Sequence, residues 1–359
     1  MAPRSTSLEA SRLHGLPVRW MSMQEEAIHL ISGRWRSQIL YAGVKLGVFE
    51  HLTMGAFQTA ETLGVTLNLD PLLLYRLMRA LASIGVLIEN DSRAFATSEL
   101  GTLFRSEHPQ TLRYRVLTAE GPEHYAIWKH LTDIVRDGRQ DGFIREFGAS
   151  AFEYARMNEH YRRTFDQAMT GHSVFQSELV LEALANYNFS GVHTVCDVGG
   201  GHGHLLCALL TRLPYLKGIV FDLPEVFDGA GDLGAAEPEL QNRCSYVAGD
   251  MFEAVPDADT YMLKMILHNW SDAKCVKILR NLRRSAPADG RVFVIEHVVP
   301  GPAEPHFAKL FDIHMLCWGP GRERTEGEYA ELLQAAGWKH SVTWYPENKT
   351  IGVVEASLR

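Results

Sequence analysis

From Val192 to its end the chain alternates short apolar runs with amphipathic segments, a rhythm that suits a parallel sheet covered by helices on both faces. The runs predict strands near 194–198, 218–221, 245–248, 260–263 and 291–295, with further strands near 341–344 and 351–354. Sheets of this kind bind ligands beyond the carboxyl ends of their strands, so the residues just past each run are the first candidates for chemistry. The first run passes into Asp197-Val198-Gly199-Gly200-Gly201-His202-Gly203. Glycines there let the backbone turn sharply and approach a ligand with no Cβ in the way. A dinucleotide fingerprint would want glycine at 204, but His204 stands there, which disfavours a pyrophosphate. The plain alternative is a tight structural turn, and the neighbouring strand ends argue against it.

The second strand finishes at Asp222 and the third at Asp250, both beside the crevice that the glycines border. Asp222 can accept hydrogen bonds from both hydroxyls of a ribose. Asp250 is followed by Met251 and Phe252, a carboxylate with soft apolar neighbours that suits the edge and face of an adenine. One acid at a strand end is usually solvated surface; a glycine cluster and two acids at three successive strand ends point to a nucleoside-bearing cofactor.

The fourth strand leads through Lys264 to Ile266-Leu267-His268-Asn269-Trp270. Most lone histidines are structural, but one just past a strand end can serve as a general base, since imidazole titrates near pH 6.5. A phenol, with a pKa of about 10, needs such help to become a nucleophile. A base needs an orienting partner, and Glu296, at the end of the fifth strand, and Glu323, ahead of the next helix, are candidates.

The first part of the chain reads as helical. Ile39, Ala42, Leu46 and Phe49 share a face, and a short helix follows around 59–63. Asp70 and Pro71 form an N-cap and first-turn pair for a helix through Leu72, Leu73, Leu77, Leu81 and Ile84 that stops near Gly85. Runs at 86–88 and 94–97, around a polar turn, read as a hairpin. Helix, turn, helix and hairpin make a winged-helix unit, whose sharp reading is DNA binding. Charge argues otherwise: residues 1–110 hold ten Lys/Arg and ten Asp/Glu, and the would-be recognition helix offers only Arg76 and Arg79. The apolar stripe of Leu72, Leu77, Leu81 and Ile84 predicts instead a surface that builds a homodimer.

Over the whole chain 35 basic and 43 acidic residues leave a net charge of -8, which draws in neither nucleic acid nor an anionic membrane. Residues 1–20 carry Arg4, Arg12 and Arg19 but no apolar run, so neither a signal peptide nor a membrane span is expected, and the cytoplasm is the expected location. Cys196, Cys207, Cys244, Cys275 and Cys317 are odd in number, lack C-x-x-C spacing and read as reduced core residues.

These residues resemble the S-adenosylmethionine-dependent O-methyltransferases of the caffeate and hydroxyindole type. The resemblance covers almost the whole chain: the winged-helix start, DVGGGHG, the FDLPEV segment around Asp222, GDMF at 249–252, the LHNWSD segment around His268 and GRERTEGEY around Glu323. It implies a Rossmann-like doubly wound catalytic domain at 191–359, a winged-helix dimerisation domain at 1–105, and connecting helices at 106–190 that contribute to the substrate pocket. It also implies that Gly199, Gly201, Asp222, Leu223, Asp250, Met251, Phe252 and Lys264 hold S-adenosylmethionine, that His268 is the base, and that Glu296 and Glu323 orient its ring. Phe165, Met169, His172, His314, Met315 and Trp318 match positions that line the acceptor pocket in relatives, with helix packing as their plain alternative. No metal is implied. Relatives commonly carry aspartate where this chain has Asn269, which bears on recognition of a second substrate hydroxyl rather than on methyl transfer.

The expected reaction is in-line displacement at the sulfonium methyl by a deprotonated oxygen of an aromatic small molecule, in secondary metabolism. Alignment of two reactants can contribute on the order of 7 to 11 kcal/mol, and the base about 10²- to 10⁴-fold in rate. Two rivals stand beside this reading. A relative that hydroxylates or decarboxylates polycyclic substrates is disfavoured by retention of His268 with both glutamates, and a cofactor-sensing regulator that uses the winged helix on DNA is disfavoured by the charge balance.

Overall fold

The computed structural model describes residues 22–227 and 239–358. The basic opening stretch, 1–20, lies outside the described residues, so its reading stays an expectation.

The amino-terminal unit forms as its caps dictate. Asp70 accepts a hydrogen bond from the Leu73 N–H at 2.9 Å and starts the helix Pro71–Ser83. Gly85, at φ +84°, turns the chain out of it into a hairpin of β2 (Leu87–Glu89) and β3 (Ala94–Thr97). A third strand, β1 (Gln58–Thr59), pairs with the other edge of β3; its two residues are too few to show a period in sequence. The stripe taken as a dimer surface does not stand open. Leu81 is fully buried, and Leu77 and Ile84 pack half-buried against the unit's own core of Val44, Phe49, Leu63 and Phe95, while Leu72 remains 73% exposed. Periodicity showed that the face is covered, and what covers it is the same domain. Exposed apolar side chains lie instead at Ile28, Leu30, Ile31 and Trp35, in and after the helix Met23–Ile31, which buries none of its residues.

A string of short helices leads into the 25-residue helix Glu159–Ala183, started by Asn158, whose side chain accepts from the Tyr161 N–H at 3.0 Å. Beyond it lie β4 (Thr194–Val198), β5 (Lys217–Asp222), β6 (Cys244–Ala248), β7 (Thr260–Lys264), β8 (Arg291–Glu296), β9 (Lys339–Trp344) and β10 (Gly352–Ser357). Their order across the sheet is β6-β5-β4-β7-β8-β10-β9. All pairs from β6 to β8 are parallel, and β10 runs antiparallel to both its neighbours.

Alternation sorts the strand side chains into two cores. Val195, Val220, Met262 and Phe293 pack with Leu205, Leu206, Leu209 and Leu210 of the helix His204–Arg212. Cys196, Phe221, Tyr261, Leu263 and Val294 pack on the other side with Ile278, Leu279 and Leu282 of the helix Asp272–Ser285 and with Leu332 and Leu333. None of the five cysteines forms a disulfide among the described residues; four are buried and Cys244 partly so. Strand order reverses between β5-β4 and β4-β7, which opens a crevice at the carboxyl end of β4.

Candidate active site

At the end of β4 the chain turns through Gly199 at φ +72° and Gly201 at φ +58°. A Cβ on Gly199 would stand 2.3 Å from Ile266 Cδ1, so glycine is required both by conformation and by the approach of the β7 loop. A Cβ on Gly201 would meet nothing within 4 Å; its backbone borders open space. Asp222, ending β5, accepts from the Gly201 N–H through Oδ2 and from the Leu223 N–H through Oδ1, both at 2.8 Å. Two backbone bonds fix the carboxylate while leaving lone pairs for a ligand. Leu223 is 42% exposed beside it.

Past β6, Asp250 Oδ1 accepts from the Phe252 N–H at 2.8 Å, and the Phe252 ring stands edge-on to Trp270 with centroids 4.9 Å apart. Met251 is half-buried, its carbonyl held by Asn281 Nδ2 at 2.8 Å. Lys264, ending β7, donates to Ser173 Oγ at 2.7 Å. Burial lowers its pKa, against the opposing pull of Asp197 and Glu296.

Sequence reasoning assigned no role to Asp197 itself. It is 2% exposed, its Oδ2 has no hydrogen-bond partner among the described residues, and burial pushes its pKa up to about 7. The signal was present, an acid directly ahead of a glycine run. An orphaned buried acceptor beside a ligand cradle, with Asp222 prearranged at its edge, fits a cofactor that brings both hydrogen-bond donors and a cation.

The second half of the site is built around His268, buried on a 3₁₀ turn, Leu267–Asn269, just past β7. Glu296 ends the neighbouring β8, and its Oε1 accepts from the backbone N–H groups of Ile266 at 3.1 Å and His268 at 3.3 Å. It therefore pins the turn that carries the imidazole. Glu323 Oε1 lies 2.7 Å from His268 Nδ1, and Glu296 Oε2 lies 3.8 Å from the same nitrogen. A proton on Nδ1 held by Glu323 leaves Nε2 as the basic nitrogen, and no hydrogen bond engages Nε2 among the described residues. Burial alone would lower the pKa of His268; the two carboxylates overcome it and raise the pKa above 6.5. Burial likewise raises that of Glu296.

Neighbouring residues hold this arrangement. The Glu323 N–H donates to Asp312 Oδ1 at 2.8 Å. Buried Arg324 donates to the carbonyls of Leu267 at 3.2 Å and Trp270 at 2.9 Å while pairing with Asp272 at 2.7 Å, so it ties the loop of Glu323 to the turn of His268. Gly321 packs so closely that a Cβ would stand 1.8 Å from the His268 carbonyl oxygen. Asn269 Nδ2 donates at 3.1 Å to the carbonyl of Met265, a residue held at φ +57°. An aspartate could not make that bond. His268, Glu296 and Glu323 also bring one potential ligand atom each within 4.8 Å of one another, a grouping that a cation could use.

The residues expected around an acceptor divide into two groups. Phe165 lies nearly parallel to Trp318, at 6.4 Å and 10°, and His314 stacks between His124 at 5.2 Å and Phe311 at 5.7 Å. Phe311 in turn stands 6.0 Å from His268. Met315 and Trp318 are buried in a cluster with Ile127, Ile134 and Phe143, whereas Met169 is 43% exposed. His172 contacts Arg115 and stacks at 6.3 Å on His297, the residue after Glu296.

A Rossmann-like sheet that sets an acid-flanked glycine turn next to a buried, carboxylate-held imidazole defines an S-adenosylmethionine-dependent methyltransferase. The O-methyltransferase domain model matches residues 128–339, and the O-methyltransferase dimerisation domain model matches 28–107. The chain belongs to the S-adenosylmethionine-dependent O-methyltransferase family that includes the caffeic acid enzymes. It is 37% identical to phenazine O-methyltransferase PhzM of Lysobacter antibioticus over 87% of this chain and 89% of that one. It is 32% identical to the mitomycin biosynthesis 6-O-methyltransferase of Streptomyces lavendulae over 87% and 88%. Among solved structures, human N-acetylserotonin methyltransferase in complex with S-adenosylmethionine superposes with a TM-score of 0.85 at 25% identity, covering 95% of this chain and 99% of that one.

Proposed function

We propose that this O-methyltransferase methylates a hydroxyl on an aromatic, phenolic or polycyclic small molecule of secondary metabolism, with His268 as the base and without a metal. The observation that carries the reading is the 2.7 Å contact of His268 Nδ1 with Glu323, which leaves Nε2 to take the proton of an acceptor hydroxyl. The relatives act, by their names, on phenazine, mitomycin and 3-amino-4-hydroxybenzoate skeletons.

S-adenosylmethionine, when bound, supplies the electrophilic methyl group. Gly199, Gly201, Asp222, Leu223, Asp250, Met251, Phe252 and Lys264 would hold it. Phe165, Met169, His172, Asn269, His314, Met315 and Trp318 would shape the acceptor side. Glu323 and Glu296 stabilise the imidazolium that forms as His268 accepts a proton, and Glu296 also keeps the base-bearing turn in place. The division into 1–105 for dimerisation, 106–190 for the acceptor pocket and 191–359 for the cofactor is part of this reading. So are a homodimer, supported by the dimerisation domain and by exposed Ile28, Leu30, Ile31 and Trp35, and a cytoplasmic location. No helix among the described residues is long and apolar enough to cross a membrane.

The test is His268→Gln, which keeps polarity and approximate size but has no basic nitrogen. It should lose about 10²- to 10⁴-fold in kcat near neutral pH, while calorimetry shows an S-adenosylmethionine affinity close to wild type. Raising the pH toward the acceptor's own pKa should restore part of the rate. A near-normal kcat would remove His268 from the base role.

A further inference from the structure

Arg115, on the short helix Arg113–Ala119, lies mostly out of solvent without an acidic partner. Its Nη1 sits 3.0 Å from both ring nitrogens of His172, and its guanidinium carbon lies 5.8 Å from the centre of the Phe307 ring. Among the described residues no oxygen acceptor bonds it, and burial alone pulls its pKa down, with no carboxylate to offset the loss of hydration. His172 is itself held neutral, its pKa pushed well below 6.5 by burial and then by Arg115 and Lys264, so it offers one lone pair and no charge.

Other withdrawn arginines of this chain are supplied differently. Arg113, two residues earlier, pairs with Glu50 at 2.9 Å, Arg105 with Glu107 at 2.5 Å and Arg324 with Asp272 at 2.7 Å. Arg243 donates to the carbonyls of Leu210 and Leu216. A guanidinium carries five N–H donors in a rigid fork, and leaving it desolvated and unpaired is costly. The missing partner is therefore an anion that arrives with a ligand.

Position decides which ligand. His172 stacks on His297, next to Glu296; Phe307 stacks on Phe311 at 5.5 Å, and Phe311 stands 6.0 Å from His268. Arg115 thus sits against the aromatic wall that leads to the base, on the side read above as the acceptor's. Flat walls suit an arene, and a lone guanidinium fork suits the two oxygens of one carboxylate. We propose that Arg115 is the anion anchor of the acceptor pocket, so that the acceptor is an aromatic hydroxy acid whose carboxylate takes the guanidinium while its hydroxyl faces His268. This rests on the O-methylation reading and narrows its substrate class.

The test measures binding separately from turnover. Monocyclic, bicyclic and tricyclic hydroxyarene carboxylic acids, each with its methyl ester, are titrated calorimetrically into the full-length protein in the presence of S-adenosylhomocysteine. Wild type should bind at least one acid roughly 10- to 100-fold tighter than its ester, the range expected for a hydrogen-bonded buried charge. Arg115→Leu should bring that ratio close to one, and Arg115→Lys should keep part of it. Equal binding of acids and esters by wild type, failure of wild type to bind any acid, or an unchanged ratio in Arg115→Leu would overturn the proposal. So would a loss of S-adenosylhomocysteine affinity in Arg115→Leu with no acid preference in wild type, since the guanidinium would then serve the cofactor's own carboxylate. If the leucine variant does not fold, the wild-type ratio and the lysine variant decide. An acid that binds with the expected ratio yet gains no methyl group counts against the O-methylation reading and leaves the anchor standing.

Discussion

Replacing Glu323 by glutamine separates the two things that its carboxylate does for His268. The carboxylate sits 2.7 Å from Nδ1 in a buried setting, where it both orients the ring and supplies charge. A glutamine can still accept from the Nδ1 hydrogen through its amide oxygen, so the orientation and the Nε2 lone pair survive while the charge is lost. A hydrogen bond to a charged group is worth about 1.5 to 3 kcal/mol, and one pKa unit corresponds to 1.36 kcal/mol. Glu296, 3.8 Å from the same nitrogen, retains part of the stabilisation. Because the carboxylates are what raise the pKa of His268 above 6.5, removing one lowers it. The acid limb of the kcat/KM profile, which rises as His268 loses its proton, should therefore move down by about one to two pH units. The plateau rate should fall about 10- to 100-fold, because the imidazolium formed during proton removal has lost its nearest anion. Stopped-assay rates from pH 5 to 10 with a fixed phenolic acceptor measure both quantities. An acid limb that stays where it was, or a plateau equal to wild type, would refute the electrostatic role assigned to Glu323.

Gly199→Ala places a Cβ 2.3 Å from Ile266 Cδ1 on a backbone at φ +72°, so thermal unfolding should show a loss of about 1 to 3 kcal/mol and calorimetry a weaker S-adenosylmethionine complex. Activity should persist in excess chelator, since magnesium asks for oxygen ligands and the cluster of His268, Glu296 and Glu323 offers two carboxylates and an imidazole whose Nδ1 already bonds Glu323; activity lost on chelation and restored by one divalent cation would establish a metal role. Light scattering at micromolar concentration should report a mass twice that of the 40.3 kDa chain, and charged substitutions at Ile31 and Trp35 should shift it toward the monomer; a monomeric wild type would count against the dimer.

Much of this was written locally. Strands at 194–198, 260–263 and 291–295 were legible because a parallel strand buried on both faces is apolar along most of its length, and the Asp70-Pro71 pair marked a helix start because its chemistry acts within four residues. Gly199, Asp222, Asp250, His268 and Glu296 were legible as strand-end residues, since parallel pairing sends the carboxyl ends of β4 to β8 to the same edge of the sheet. The sequence could not say what a covered face is covered by, which is why Leu81 was read as a dimer contact when it packs within its own domain. Nor could it show that Lys264 meets Ser173, 91 positions away, that Arg324 ties the loop of Glu323 to the turn of His268, that Asp197 keeps an unpartnered oxygen, or that Arg115 is withdrawn without an acid. Residue type and spacing fix the backbone's local preferences, whereas hydrogen-bond partnership and desolvation depend on groups brought together only when distant segments pack.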